Sequence, residues 1–379
     1  LPLTNYLFTN RISNVRKKPL ISSTKIDVTV PYEKIEVIEK VDGSSIRNNK
    51  IWYKVKYHGK IGYIHSSVSS KREFRFEEMA KKVRKLELFI EESKKNNFSI
   101  EKIMAYKPGS NEKKGAKVDQ YGNRGEQSIV GTYTTLKQKS FFRYLQDGRI
   151  ISIRKQNRNI SIIKIPDSII EYKIESKKSK KIDLKNGIKK IIVIDLKNQN
   201  QALFWKKGEV WELISYTLIT SGRNDNKTSY ETPKGYFLVG NTVKQVIFHY
   251  DKKVKKKILK EKVVDKSEAK KLEEYYEDDY EIVKKYSRAN YGIRFSGGGY
   301  IHGIPLRDDI AKELGSQKAI KNRKKKSSII LGTYKRSHKC VRNSEEQMSY
   351  LYHNFVGYKP RYKGKWWRVP KENIAVIVF

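Results

Sequence analysis

Cysteine is nearly absent: Cys340 is the only one among 379 residues. A single cysteine excludes an intramolecular disulfide, and so excludes a fold stapled by cross-links. It leaves the redox compartment open, because exported bacterial proteins also do without disulfides. Long hydrophobic runs are missing too; none approaches the roughly 20 residues that a membrane-spanning helix needs. Acidic residues are scarce beside basic ones, with 41 Asp and Glu against 82 Lys and Arg, a formal charge of +41. Such a field favours polyanions, whether nucleic acid, anionic membrane or anionic wall polymer. The excess is mostly Lys and is spread along the chain, the pattern of a solvated surface. No base-reading basic helix and no aromatic RNA-binding motif stands out, so no nucleic-acid partner is expected. A signal peptide is also lacking, and the sequence opens at Leu1, not Met. An export signal or membrane anchor is therefore expected outside it.

What is present points to β structure. Tyrosine is abundant at 25 residues, β-branched residues are frequent, and turn residues punctuate short apolar runs. The expected fold class is mostly β with some α, in two or three domains. Residues 1–72 read as a small β-barrel, with strands at 26–30, 35–38, 51–57 and 61–64. Its turns are expected at Asp42-Gly43 and His58-Gly59. Residues 73–127 read as an amphipathic helix and a linker. Phe76, Met79, Val83, Leu86 and Ile90 recur at helical spacing, and Pro108-Gly109 opens the linker. Residues 128–186 return to β patterning around Asp147-Gly148 and Asn157–Asn159, as a second small β domain for which an SH3-like barrel stays open.

Residues 187–379 form the last unit. Ile191–Leu196 reads as a buried strand, followed by a meander through 202–205 and 210–220. Residues 250–288 are an insert in which Asp265-Lys-Ser-Glu268 suggests a capping box. It is expected to open an acidic helix around Glu273, Glu274, Glu277, Asp278, Asp279 and Glu281. This helix and the Lys-rich run 312–326 could cover a site as a lid, or be two solvated excursions. A helix at 345–355 and a closing strand at 374–379 complete the chain.

The chemistry concentrates between residues 291 and 343. A glycine run, Gly297–Gly299, leads into Ile301-His302-Gly303. A long basic stretch then reaches Ser337-His338-Lys339-Cys340-Val341-Arg342-Asn343. A lone Cys with a His elsewhere is the minimum apparatus of a thiol nucleophile. The thiolate is the reactive form, and a free thiol with a pKa of ~8.5 is mostly protonated at neutral pH until a base takes the proton. The bland alternative is an inert buried thiol. A zinc site would need more than Cys340 and His338, and no closed-site spacing occurs elsewhere. Neither a metal nor a cofactor is expected.

These two motifs resemble the L,D-transpeptidase (YkuD-like) family of bacterial cell-wall enzymes. Its pattern is a strand ending in His-Gly or His-Ser, a loop, then Ser/Thr-His-Gly-Cys-hydrophobic-Arg/Asn. Ser221-Gly222 and Thr232-Pro233-Lys234-Gly235-Tyr236-Phe237 are similar to motifs that precede the histidine in the family. Two features depart from the pattern. Lys339 stands where the family has Gly, and 34 residues separate His302 from Ser337, a longer loop than usual. The run Trp52-Tyr-Lys-Val-Lys-Tyr-His-Gly-Lys-Ile-Gly-Tyr63 resembles the end of a bacterial SH3 (SH3b) domain.

The resemblance implies a β-sandwich-like catalytic domain with helical inserts over 187–379, and an SH3-like barrel over 1–72 that targets peptidoglycan. It implies Cys340 as nucleophile, His302 as its base, and the Gly303 carbonyl as the group orienting the imidazole. Backbone N–H groups around Lys339 and Cys340 would face the oxyanion, where such donors are worth roughly 3–4 kcal/mol. His338, Arg342, Ser337 and Lys339 would line the substrate site, with Arg342 suited to a stem-peptide carboxylate. The implied partner is the peptidoglycan stem peptide, and the implied location is extracytoplasmic, in the bacterial cell envelope. Loss of the terminal D-Ala to a Cys340 thioester, then attack by a second stem's amine, would give a 3→3 cross-link. Water as acceptor would give an L,D-carboxypeptidase. A wall-binding protein with a decayed site is the non-catalytic alternative.

Overall fold

The structure is a computed structural model that describes residues 2–106, 117–134, 141–224, 230–259, 276–360 and 364–379. It is mostly β, arranged in four sheets. The first holds Asn5–Phe8 (β1), Asn14–Arg16 (β2), Lys25–Val28 (β3), Ile35–Ile46 (β4), Asn49–Tyr57 (β5), Lys60–His65 (β6) and Ser70–Glu73 (β7). Its order is β3-β2-β6-β5-β4-β1-β7, an open path whose end strands do not pair with each other. Leu7, Val15, Ile35, Val37, Val55, Tyr57 and Ile64 form its core. Their alternate spacing along each strand puts them on one face of the pleat.

One expected turn lies elsewhere. Asp42-Gly43 sits inside β4, and the chain reverses at Arg47-Asn48, where Ile46 pairs with Asn49. Both reversing residues have positive φ, 51° and 62°, as a two-residue hairpin of matching twist requires. Gly43 serves a close approach instead of a turn. A Cβ there would lie 2.1 Å from the Pro19 carbonyl oxygen.

Helix α1 spans Phe76–Lys95, with Glu77 and Glu78 in its first turn and Lys94 and Lys95 in its last. That charge order suits the helix dipole. Met79, Val83, Leu86, Phe89 and Ile90 are its buried stripe, each contributing roughly 2 kcal/mol of apolar burial. A second sheet follows: Ser99–Ile103 (β8), Ser128–Tyr133 (β9), Phe142–Gln146 (β10), Ile150–Gln156 (β11), Ile160–Lys164 (β12), Tyr172–Glu175 (β13) and Ser179–Lys181 (β14). β8 comes from the stretch read in sequence as helix and linker. It is held between β11 and β14, with Ile100 and Ile103 buried.

The last unit is a sandwich. One sheet holds Lys190–Asp195 (β15), Asn200–Lys207 (β16), Val210–Leu218 (β17), Gly235–Leu238 (β18) and the C-terminal Ile374–Val378 (β24), in the order β17-β16-β15-β24-β18. The facing sheet holds Asn241–Leu259 (β19), Tyr276–Ser296 (β20), Gly299–His302 (β21) and Val341–Arg342 (β23), with Leu306–Arg307 (β22) on β20. β15 explains why its sequence is apolar without alternation. Ile192 and Ile194 face the sandwich core with Phe237, Phe295, Ile301 and Val341. Ile191 and Val193 face the other way, onto Met79, Val83 and Leu86 of α1. A strand covered on both sides has no face to leave polar.

The two inserts differ from each other. The acidic helix expected within 250–288 is not there in the described part. Glu277, Asp278, Asp279 and Glu281 lie on β20, which pairs antiparallel with β19 in a long hairpin. Asp265–Glu274 fall outside the described residues. The register sets Lys256 opposite Asp279 and Lys257 opposite Asp278. Pairing of this kind joins residues far apart in sequence, which a capping-box reading of one segment misses. After His302 the chain does turn helical, through Asp308–Leu314 (α2) and Gln317–Ser328 (α3). Ser316 caps α3 by accepting from the Ala319 amide at 3.1 Å. Helix α4, Glu345–Tyr350, follows the cysteine motif and continues as a wider turn to Val356.

Candidate active site

The excursion through α2 and α3 returns the chain to where it left. β21 and β23 pair in parallel, with Ile301 opposite Val341 and His302 opposite Arg342. The residues before β23 form the cysteine turn, so this pairing sets His302 beside it. The Asn343 amide donates to the His302 carbonyl at 2.9 Å and fixes the register. The 34-residue separation in sequence thus becomes one strand spacing in space.

His302 is buried, 1% exposed. Its Nδ1 lies 2.6 Å from the Gly303 carbonyl oxygen. A carbonyl only accepts, so Nδ1 carries the proton and Nε2 is left as the basic nitrogen. The Gly303 amide in turn donates to the Asn290 carbonyl at 3.0 Å. A Cβ on Gly303 would come within 2.6 Å of Glu345 Oε1 and 3.1 Å of the Asn290 carbonyl oxygen, so a larger residue needs the Glu345 side chain to move. Burial pushes the imidazole pKa down to about 3; the Gly303 bond opposes the shift and the nearby Arg342 cation adds to it. The ring is neutral at physiological pH, with its lone pair on Nε2.

Cys340 is 4% exposed. Its Sγ donates to the Gly298 carbonyl at 3.6 Å. Burial pushes the thiol pKa up, while the Tyr300 backbone amide and the Arg342 and Lys339 cations pull it down. The resting thiol therefore points at a carbonyl and must turn to reach an imidazole nitrogen. Catalytic contacts of this kind often tighten only when substrate is bound.

Lys339, which stands just before Cys340, keeps a glycine-like backbone with φ at +65°. For an L-residue other than glycine that geometry costs about 1–2 kcal/mol. Three contacts hold it. The Lys339 amide donates to the Tyr230 carbonyl at 2.9 Å. The Lys339 carbonyl accepts from Thr232 Oγ1 at 2.9 Å, and that same oxygen accepts from the Gly222 amide at 2.8 Å. Gly222 packs so tightly that a Cβ would lie 2.7 Å from the Lys339 nitrogen. The Ser221-Gly222 and Thr232-Pro233 motifs are thus the seat of the cysteine turn.

The expected oxyanion donors differ from this picture. The Lys339 amide is engaged by Tyr230, and the Cys340 amide donates to the His338 carbonyl at 2.7 Å. The donor aimed at the sulfur is the Tyr300 amide, which the sequence motif did not single out. The four residues expected to line the substrate site also divide. Ser337 is buried and its hydroxyl donates to the Cys340 carbonyl, inside the turn. Lys339 is buried, with its Nζ 3.6 Å from Glu126 Oε2 and 3.4 Å from Gln127 Oε1. His338 is exposed at the lip of the turn. Arg342 is half-buried, its backbone paired with Thr220, and its Nε has no hydrogen-bond partner. Of the four, Arg342 alone combines a buried unsatisfied donor with proximity to the thiol.

Glu126 and Gln127 were missed by sequence reasoning. They end a stretch read as a linker, and no local motif marks them. They close over the site because Gly297 and Gly298 leave room; a Cβ on either would meet Gln127 within 2.8 Å. Arg149 anchors the same unit from below, fully buried with Nη1 3.2 Å from Asp167 Oδ1. Gly235 of the Thr-Pro-Lys-Gly motif has φ at +140° and lies against the Arg149 guanidinium. Among the described residues no group of three or more His, Cys, Asp or Glu side chains could hold a metal ion.

Comparison with known proteins bears on this geometry. Residues 189–360 match the family model of the L,D-transpeptidase catalytic domain. Residues 12–70 match the model of the bacterial SH3 domain. No curated protein matches the chain. Among solved structures, an L,D-transpeptidase from Mycobacterium smegmatis is similar at 9% identity over 91% of this chain and 99% of its own, with a TM-score of 0.27. L,D-transpeptidase 3 from Mycobacterium tuberculosis is similar at 13% identity over 66% and 79%, with a TM-score of 0.26. A fused Zn-dependent amidase/peptidase/peptidoglycan-binding protein from Clostridium acetobutylicum is similar at 14% identity and a TM-score of 0.26, and the chain spans about half of it, 52%.

Proposed function

With an L,D-transpeptidase catalytic domain at residues 189–360 and a bacterial SH3 domain at residues 12–70, we propose that this chain cross-links peptidoglycan stem peptides through a Cys340 thioester. The observation that supports the reading is the parallel pairing of β21 with β23, which brings the strand ending in His302 alongside the strand that follows Cys340. His302 Nε2 takes the thiol proton as Sγ attacks the carbonyl of the donor stem's third residue. The C–N bond to the terminal D-Ala breaks, and the imidazole returns the proton to the departing amine. A side-chain amine of a second stem then attacks the thioester, and the thiol regains its proton. The product is a 3→3 cross-link. Water in place of the amine gives carboxypeptidase activity from the same intermediate.

Arg342 supports recognition of the donor. Its Nε is buried without a partner, a group that a stem carboxylate would satisfy. Ser337 and Lys339 serve the turn and not the substrate. The SH3 domain holds the enzyme on the wall, so the site of action is extracytoplasmic. Among the described residues no helix is long and apolar enough to cross a membrane.

The test is intact-protein mass spectrometry after mixing with a disaccharide-tetrapeptide, with Cys340→Ala as control. An adduct equal to the donor minus D-Ala, absent in the control, is the expected result. No adduct and no released D-Ala would overturn the reading in favour of a non-catalytic wall-binding protein. Dimer against hydrolysed tripeptide among the products separates the two acceptors.

A further inference from the structure

The one residue that breaks the cysteine motif is also the one tied to another part of the molecule. Lys339 is 7% exposed and Glu126 is 6% exposed, and they face each other across the seam between the second sheet's unit and the catalytic sandwich. Gln127 Oε1 lies 3.4 Å from the same Nζ and packs on the Gly297–Gly298 turn. Gly298 supplies the carbonyl to which the Cys340 thiol donates. A ring of contacts therefore runs from Lys339 through Gln127 and Gly298 back to Cys340. A glycine at 339 would keep the turn and lose the ring. A lysine there accepts an unfavourable backbone angle and a buried charge, which needs a compensating interaction at that spot.

We infer that Lys339 is a positioning residue: its ammonium, anchored by Glu126, is a fixed positive charge that favours the Cys340 thiolate, so the second sheet's unit completes the active site. The inference rests on Cys340 being the reactive thiol. Other charges face this sulfur as well. Arg342 adds a cation from β23, and Glu126 opposes it from the second unit. Asp147, from the β10–β11 turn, faces Lys339 and is itself paired with Arg294 at 2.7 Å. His302 is neutral and supplies no imidazolium charge to the resting thiol. In enzymes that hold a thiolate as an ion pair with imidazolium, histidine provides this field. Here burial removes that option, and the positive charge comes from Lys339 and Arg342; burial pushes the Lys339 pKa down as well, and the Glu126 carboxylate 3.6 Å away opposes that shift.

The experiment is the pH dependence of Cys340 alkylation by iodoacetamide, followed by intact mass, in the full chain. Lys339→Gly relieves the backbone angle and removes the cation; Lys339→Met removes the cation alone. Both are expected to raise the alkylation midpoint by about one pH unit or more, which is about tenfold slower reaction at a fixed pH below it. Glu126→Gln separates anchoring from repulsion. If Glu126 keeps Lys339 charged, its loss frees the lysine proton and the midpoint rises. If Glu126 only repels the thiolate, the midpoint falls, and the anchoring role is overturned. A Lys339→Gly midpoint equal to wild type would overturn the inference as a whole, because the lysine would then be a mere occupant of the turn. Thermal unfolding of each variant identifies any that fails to fold, and Lys339→Gly, which relaxes the turn, keeps the test open in that event. A wild-type thiol that reacts no faster than a model thiol at any pH would instead count against Cys340 as nucleophile, a separate outcome.

Discussion

At the scale of single residues, glycine and histidine positions decide the site. A Cβ on Gly222 would meet backbone first, the Tyr230 carbonyl oxygen at 2.5 Å and the Lys339 Cα at 2.8 Å. Backbone cannot rotate away as a side chain can. Gly222→Ala is therefore expected to shift the cysteine turn, cutting acyl-adduct formation at least about tenfold while costing about 1–3 kcal/mol of stability; adduct yield and urea unfolding measure the two. His302 gives a pH prediction. Its folded pKa is depressed to about 3 against ~6.5 unfolded. The unfolded chain binds this proton more readily, so the contribution is complete above pH ~6.5 and is lost as pH falls towards 3. Between pH ~7.5 and ~5 the wild type should lose about 2 kcal/mol more than His302→Gln, read from urea midpoints. Equal losses in the two proteins would mean that the imidazole is not held neutral by the fold.

At the scale of elements, helix α1 and strand β15 were legible, and β8 and the β19–β20 hairpin were not. The stripe Met79, Val83, Leu86, Ile90 marked α1 because a surface helix must bury one face. Ile191–Leu196 marked β15 because a fully covered strand has no polar alternation. The β19–β20 hairpin escaped because its stability lies in cross-strand register, which no local window contains. One anchor of the excursion after His302 lies between elements far apart in sequence. Lys324 of α3 pairs with Glu345 of α4 at 3.1 Å, and Glu345 Oε2 accepts from Asn290 Nδ2 at 2.9 Å. Both charged groups are partly exposed, so the pair is worth at most about 1 kcal/mol. Lys324→Ala is expected to leave the melting temperature within a few degrees while speeding tryptic cleavage within 308–328 several-fold. Unchanged cleavage would mean that α3 is held by its other contacts.

At the scale of the whole molecule, the SH3 unit is docked on the segment that leads into the cysteine turn. The Tyr6 hydroxyl donates to the Gly332 carbonyl at 2.6 Å, and Arg72 Nη2 donates to the Thr333 carbonyl at 3.0 Å. Tyr32 and Tyr334 meet with ring centroids 5.4 Å apart. Tyr6 is fully buried, so Tyr6→Phe leaves a carbonyl without its partner and should cost about 1–3 kcal/mol in urea unfolding. A cost near zero would mean that the docking is carried by apolar contact alone. The charge of +41 belongs to this scale too. Retention on sacculi bearing anionic polymers should weaken as salt rises and the Debye length falls from ~10 Å at 0.1 M to ~3 Å at 1 M, as pelleting assays would read. Salt-independent retention would assign binding to the SH3 fold and not to charge.

The sequence alone determined the β-rich class, helix α1 and strand β15, because hydrophobic period is a local property that survives without coordinates. Tertiary structure decided the rest. It turned Asp42-Gly43 from a turn into a close approach to Pro19. It engaged the two amides expected to form the oxyanion hole. It also moved Lys339 from the substrate site to a buried pair with Glu126. Each of these depends on which distant backbone arrives beside a residue, and that is settled by how the sheets pack against one another, not by any neighbouring letters in the chain.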